Sequence, residues 1–330
     1  MIEICLFGAG MIGSVHAANV LRHPQARLKY VVDPRPEAAR RIAEATGAQS
    51  VDADAALADP ALRGVIVASA TATHADLSIA AARQGKAIFC EKPIDMDLAR
   101  TDACLRVIRE TGAIFQIGFN RRFDPSFAAL KSRVDAGAVG TVEQVIITSR
   151  DPEPEPEPAV AAGGGLFREM TIHDFDMARH LLGEEPSEVF AAGACLIAPY
   201  FAKHGDYDSA MFILRTRSGR MCHINNSARA SYGYDQRIEV HGSDGMIRAD
   251  NCFPTSVELA TSAAMSRDRP HYFFVERYQE SYYNELDRFI ACIETGTLPA
   301  VGAEDGRRAM IICEAALASA RSGRFERLDF

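Results

Sequence analysis

The chain alternates between two hydrophobic rhythms. In its first third, short apolar runs hand over to segments with apolar residues at helical spacing. "EICLF" precedes "GMIGSVHAANVLRH", "GVIVAS" precedes "ADLSIAAARQG", and "KAIFCEKP" precedes "DMDLARTDACLRVIRETG". "LKYVVD" and "AIFQIGFNRRFD" are further apolar runs of the same kind. Runs this short and continuous predict buried strands, and the period of about 3.6 between them predicts helices. Strand and helix in alternation predict a parallel sheet with helices on both faces. From Thr141 the rhythm changes. "TVEQVIITSRD", "SEVFAAGACLI", "DSAMFILRTRSGRMCHINNSAR", "DQRIEVHGSDGMIRAD" and "SVELAT" read as strands, with "RSGR" and "GSDG" as hairpin turns. This half predicts a largely antiparallel sheet, closed by two amphipathic helices in "YYNELDRFIACIETG" and "AEDGRRAMIICEAALASARSG". Between the first two strands, the alternating Pro and Glu of "DPEPEPEPAVAAGGG" predict an extended, exposed loop.

A chain of 330 residues suits two domains. The change of rhythm puts them at 1–120 and 121–330, with the C-terminal helix free to pack back on the first. A formal net charge of −8 argues against nucleic acid or an anionic membrane as partner. The 8 cysteines include no CxxC pair and fall mostly in apolar segments, which predicts free thiols in a reducing compartment. Strand-like sequence from Ile2 leaves no room for a signal peptide, and no apolar run approaches the ~18 residues of a membrane span. The expected location is the cytoplasm.

Candidate chemistry gathers at the ends of the predicted strands. Gly8, Gly10 and Gly13, with Met11 and Ile12 between, form a GxGxxG turn after the first strand. One glycine makes the tight turn, the next admits a pyrophosphate, and the third lets helix approach strand; the helix N-terminus then faces the negative charge. The second strand ends on Asp33, twenty residues past Gly13. A carboxylate there accepts hydrogen bonds from the adenosine ribose and repels a 2′-phosphate, so the pattern predicts NAD over NADP. Arg35, two residues on, is the one feature that would suit a phosphate. Ser69, Ala70, Thr71, Thr73, His74, Glu91, Lys92, Asn120 and Arg121 lie at the ends of the following strands, where such sheets bind ligands. Any one of them could be an ordinary cap. Lys92 stands out because an ammonium between an acid and a proline, directly after a buried strand, is held in place.

In "GGGLFREMTIHDFDMARHLLG" the residues Glu169, His173, Asp176 and His180 recur at steps of four, three and four. At about 100° per residue they form one polar stripe roughly 60° wide on a helix that also has an apolar face. A metal site, a proton relay and a solvated face all fit such a stripe. Eleven residues span roughly 16 Å of helix, so the four cannot converge on one ion, and no metal is expected. His180, at the helix end, has no expected role in chemistry.

Taken together, "FGAGMIG", "VVDP", "EKP", "QIGFNRRFD", "SRDP", "FREMTIHDFDMARHLLG" and "YGYDQRIEVHGSDG" resemble the inositol 2-dehydrogenase branch of the glucose–fructose oxidoreductase/inositol dehydrogenase/rhizopine catabolism (Gfo/Idh/MocA) family. The resemblance runs nearly end to end; EKP and TIHDFDMAR are its discriminating motifs. It implies an α/β chain with an N-terminal Rossmann domain and a C-terminal α+β domain built on a large, mostly antiparallel open sheet. It also implies a homotetramer and NAD-linked oxidation of a ring hydroxyl on a cyclitol or sugar. The family's catalytic lysine and histidine match Lys92 and His173. Its catalytic aspartate falls on Glu169, a departure, and position 180 is more usually aromatic. Asp176, Tyr234 and Arg121 match positions that line the substrate pocket, along with Lys92, Glu169 and His173. On this reading His173 takes the hydroxyl proton, Lys92 steadies the alkoxide, and Glu169 orients the imidazole. Two alternatives remain: a dehydrogenase or reductase for another sugar or inositol isomer, and a nucleotide-binding sensor without turnover.

Overall fold

The computed structural model describes residues 1–162 and 164–330, and Gly163, part of the glycine run before the polar stripe, lies outside them. The chain forms two compact units, Met1–Phe123 with Glu280–Arg308, and Asp124–Gln279 with Ala309–Phe330.

In the first unit the apolar runs become β1 (Ile2–Phe7), β2 (Ala26–Val32), β3 (Gln49–Ser50), β4 (Leu62–Val67), β5 (Ala87–Cys90) and β6 (Phe115–Ile117). They pair in parallel in the order β3-β2-β1-β4-β5-β6, the doubly wound arrangement whose ligand crevice opens where the order reverses, between β1 and β4. The sheet's core extends to residues far along the chain. Leu286, Phe289, Ile290 and Ile293 of the helix Gln279–Thr295 join Ile4, Leu6, Ile66 and Phe89 in one buried cluster. Gly64 makes room for them, since a Cβ there would lie 2.9 Å from Ile293 Cδ1.

The second unit carries β7 (Val142–Arg150), β8 (Pro186–Ala194), β9 (Ser209–Thr216), β10 (Met221–Ser227), β11 (Asp235–Gly242), β12 (Gly245–Ala249), a small exposed hairpin of β13 (Glu258–Ala260) and β14 (Met265–Arg267), and β15 (Glu326–Arg327). Seven of these form one sheet in the order β12-β11-β7-β10-β9-β8-β15, antiparallel at every junction except β7–β10. Both expected hairpins form, β9 with β10 and β11 with β12. One sheet face buries Val145, Ile147, Phe212, Leu214, Cys222, Ile224 and Val240, while Ile146, Met211, Met221 and Met246 on the other are exposed. Among the described residues no helix is long and apolar enough to cross a membrane, and all eight cysteines are free.

Two expectations change. The Pro-Glu stretch is not extended throughout, because Glu157–Ala161 forms a short helix. Pro156 is its N-cap and Pro158 lies in its first turn, where a missing N–H leaves no hydrogen bond unmade. Val160 is buried, and Tyr200 donates to the Glu155 carbonyl at 2.7 Å. The polar-striped segment is likewise not one regular helix. Leu166–Thr171 is wound as a π-helix and only Ile172–Leu182 is α-helical, so the constant turn per residue behind the stripe fails at Glu169.

A buried ion pair anchors the second unit. Arg277 Nη1 donates to Asp124 Oδ2 at 2.5 Å, both side chains are 3% exposed, and Asp124 also caps the helix Pro125–Asp135 through the Ser126 and Phe127 amides. Removing one partner of such a pair leaves the other charge buried alone. Asp124→Ala is therefore expected to lower unfolding free energy by roughly 3–5 kcal/mol in denaturant titrations. A loss below about 1 kcal/mol, the level of a surface pair, would show that water reaches Arg277.

Candidate active site

In the nucleotide unit the glycine turn is built by exclusion. Gly8 has φ +98°, and a Cβ on it would sit 2.3 Å from the Ala68 carbonyl oxygen; on Gly13 it would sit 2.0 Å from the Gly8 oxygen. Around Gly10 a Cβ would meet nothing within 4 Å, so the turn is closed against protein at its flanks and open at its middle. Gly10 caps the helix Met11–Arg22 without a side-chain hydrogen bond, leaving its first amides available to an anion. Asp33 Oδ2 accepts the Ala9 amide at 2.7 Å, and Oδ1 accepts the Arg35 amide at 2.9 Å and Arg35 Nε at 3.1 Å. Burial raises the Asp33 carboxyl, but the Arg35 side chain and these two amides outweigh it and hold the group below the usual carboxylate range. Arg35 Nη2 adds a fourth, longer contact to Oδ2 at 3.4 Å, so a ribose hydroxyl would take the place of that contact among the carboxylate's about four acceptor positions. The residues present fit NAD.

The other strand-end residues divide. Ser69 and Thr73 join hydroxyls at 2.7 Å, and Thr71–Thr73 is a short 3-10 turn with Ala70 exposed before it. His74 is buried with Nδ1 at 2.8 Å from the Pro93 carbonyl and Nε2 at 3.0 Å from that of Ser69, which makes it a strut between two loops. Lys92 is half-buried between buried Glu91 and Pro93. Asn120 and Arg121 are buried, and the Asn120 carbonyl accepts the Ser281 hydroxyl.

In the second unit Glu169 lies in the π-wound segment, while His173, Asp176 and His180 lie on the α-helix that continues it. Glu169, His173 and His180 are half-buried; Asp176 is buried, 3.5 Å from the guanidinium of Arg179, which in turn forks onto Glu185 at 2.7 and 2.6 Å. Tyr234 is buried edge-on to Tyr278.

Sequence reasoning missed what holds this segment. Gly165 starts it at φ +57°, and a Cβ there would fall 1.3 Å from Asp206 Oδ2. Gly164 lies against Glu169, whose Cγ a Cβ would approach to 2.9 Å. The Thr171 hydroxyl is 3.0 Å from the Leu166 carbonyl oxygen and 2.7 Å from Asn226 Oδ1; Asn226 Nδ2 donates to buried Asp174 at 2.9 Å. Sequence reasoning also passed over His16 and Glu285, buried in the nucleotide unit. Their signal was available, since each is a polar residue on the apolar side of an amphipathic helix.

Comparison with known proteins places both units. Residues 2–119 match the oxidoreductase family with an NAD-binding Rossmann fold, and residues 127–248 match the GFO/IDH/MocA C-terminal domain. The chain is 50% identical over 321 residues to an inositol 2-dehydrogenase of Rhizobium meliloti, covering 97% of each protein. Its structure is similar to that of a myo-inositol dehydrogenase from Corynebacterium glutamicum, with TM-score 0.95 and 42% identity over 100% of this chain and 99% of the other. It is also similar to a scyllo-inositol dehydrogenase from Lactobacillus casei with bound NAD(H) and scyllo-inositol, at TM-score 0.90 and 25% identity over 99% of each chain. The chain therefore belongs to the Gfo/Idh/MocA family of oxidoreductases, and its first unit is that family's NAD-binding Rossmann domain.

Proposed function

We propose that the protein oxidises a ring hydroxyl of a cyclitol, inositol to inosose, with NAD as acceptor. The observation that carries this is the 50% identity to an inositol 2-dehydrogenase over 97% of both proteins. The lysine of EKP and the histidine of TIHDFDMAR are both present in this chain, as Lys92 and His173. The Gly8–Gly13 turn and Asp33 would hold NAD, which would supply the acceptor for the hydride of the carbinol carbon. His173 takes the hydroxyl proton, since an imidazole titrates near neutral pH. The Lys92 ammonium stabilises the alkoxide that develops as the proton leaves. Glu169, four residues before His173, orients the imidazole as a carboxylate behind a catalytic histidine does; Asp176, Tyr234 and Arg121 shape the pocket around the remaining hydroxyls. A second reading, an inositol isomer other than myo, is supported by the likeness to the scyllo-inositol enzyme. The sheet face bearing Ile146, Met211, Met221 and Met246 supports a homo-oligomer.

NADH formation across a panel of cyclitols and sugars tests the proposal. Turnover highest on an inositol is expected, and turnover on aldoses alone, or on nothing, rejects it.

Cofactor choice gives a second test. Asp33 both hydrogen-bonds the ribose and ties down Arg35, so Asp33→Ser frees a guanidinium for a 2′-phosphate. The ratio of kcat/KM for NAD over NADP is expected to fall by roughly tenfold or more, the worth of a charge-assisted hydrogen bond. An unchanged ratio would show that Asp33 does not read the ribose.

The third test addresses the departure at Glu169. Glu169→Gln is expected to lower kcat by roughly ten- to two-hundredfold while NAD affinity holds, because a charge-assisted hydrogen bond felt in the transition state is lost. Turnover at the parental rate would remove Glu169 from the relay.

A further inference from the structure

A buried cluster in the nucleotide unit has no part in the chemistry set out above. His16 Nε2 lies 2.7 Å from Glu91 Oε1, and one ligating atom from each of His16, Glu91 and Glu285 falls within 4.8 Å of the others. The three come from the first helix, the loop after β5 and the helix Gln279–Thr295, and they are 0%, 8% and 0% exposed. Aromatic rings enclose them, with Phe89 4.9 Å and Tyr282 5.9 Å from the His16 ring. Gln116 Nε2 donates to the backbone carbonyl of Glu285 at 2.8 Å. On the far side Gly118 leaves no spare volume, since a Cβ there would lie 2.8 Å from Glu91 Oε2. Among the described residues no N–H or hydroxyl donor reaches either carboxylate oxygen of Glu285, and His16 Nδ1 meets no partner.

Two ionised carboxylates this close in an apolar enclosure repel one another, and each loses its hydration. The imidazole donates Nε2–H to Glu91, and its Nδ1 does not reach Glu285. Glu285 then has no cationic donor and must carry its own proton. Burial, and secondarily the charge on Glu91, push its carboxyl well above the usual value. A metal ion suits the spacing less well. The 2.7 Å contact between His16 and Glu91 is of hydrogen-bond length. Two ligands bound at 2.0–2.2 Å on a tetrahedral ion stand roughly 3.4 Å apart.

We propose that a protonated Glu285 and the imidazole of His16 hold the Glu91 carboxylate between them, and so act as positioning residues for the Glu91–Lys92–Pro93 turn. Glu285 gives its O–H to Glu91 from one side and His16 gives its N–H from the other. Glu91 then cannot rotate, and the residue that follows it, Lys92, leaves the strand in one direction. The importance of that direction for turnover rests on the role of Lys92 proposed above; the protonation state of Glu285 does not.

Infrared spectra of the NAD-saturated protein at neutral pH test the protonation directly. The parent is expected to show a carboxylic-acid C=O band that is slow to shift in deuterated water and is lost in Glu285→Gln. Elemental analysis of the same sample is expected to find no stoichiometric metal. In steady-state assays Glu285→Ala should lower kcat by about ten- to a hundredfold, the cost of a displaced catalytic group, with NAD Kd little changed. Glu285→Gln, which keeps an N–H donor at the same place, should recover most of that loss. Absence of the acid band, a bound metal, or a folded Glu285→Ala turning over at the parental kcat would each overturn the proposal. If the parent oxidises none of the panel, the functional proposal fails by itself, and the infrared band and metal content still decide the state of Glu285.

Discussion

Where β1 turns into its helix no methyl group fits at Gly8 or Gly13, and much of the nucleotide unit depends on that steric limit. At Gly8 the backbone runs against the Ala68 carbonyl of the neighbouring β4–helix connection, and at Gly13 the helix runs against Gly8 itself. Both approaches are backbone on backbone, so no side-chain rotation can relieve a substitution. The limit brings the helix N-terminus to the carboxyl edge of the sheet and aims it at the crevice between β1 and β4. Asp33 is fixed in the same way, by the amide of Ala9 inside the turn. Phosphate end and ribose end of the cofactor site are thus measured from one stretch of backbone.

The second unit positions its polar residues by a different means. There the chain departs from α-helical winding over Leu166–Thr171, and polar groups hold the departure: half-buried Asp206 against Gly165, and the buried, hydrogen-bonded Thr171, Asn226 and Asp174. A π-wound turn leaves backbone groups that a regular helix would satisfy, and wide turns of this kind recur at functional sites. Glu169 sits within it and His173 just after it. The departure also explains the two glycines: Gly165 is required by its conformation and by Asp206, and Gly164 by the bulk of Glu169.

Local patterns predicted what local forces decide. The strand–glycine–helix opening, the parallel unit and both hairpins follow from periodicity and turn chemistry over fewer than twenty residues. The stripe of Glu169, His173, Asp176 and His180 was visible because its spacing is regular, yet the winding that places Glu169 was not. It depends on Asn226, 55 residues from Thr171, and such a pairing leaves no trace in a local window. The prolines of 152–158 misled in the other direction, since proline forbids helix interiors and suits helix starts. His16 and Glu285 were passed over because each looks like a defect in an amphipathic pattern until its partner from the other end of the chain is seen.

The nucleotide unit is not a contiguous piece of chain: Leu286, Phe289, Ile290 and Ile293 complete its core from the far side of the other unit's sequence. During synthesis its first 123 residues emerge with the outer face of the sheet uncovered. At about 5–20 residues per second, the roughly 170 residues that follow before Ile293 take on the order of ten to thirty seconds. For that interval the half-finished sheet offers Ile4, Leu6 and Phe89 to anything hydrophobic nearby, a chaperone included. A fragment cut at the end of the Rossmann sequence would carry the same exposed surface permanently, so the cofactor domain cannot be lifted out of this protein as a module without bringing Glu280–Arg308 with it.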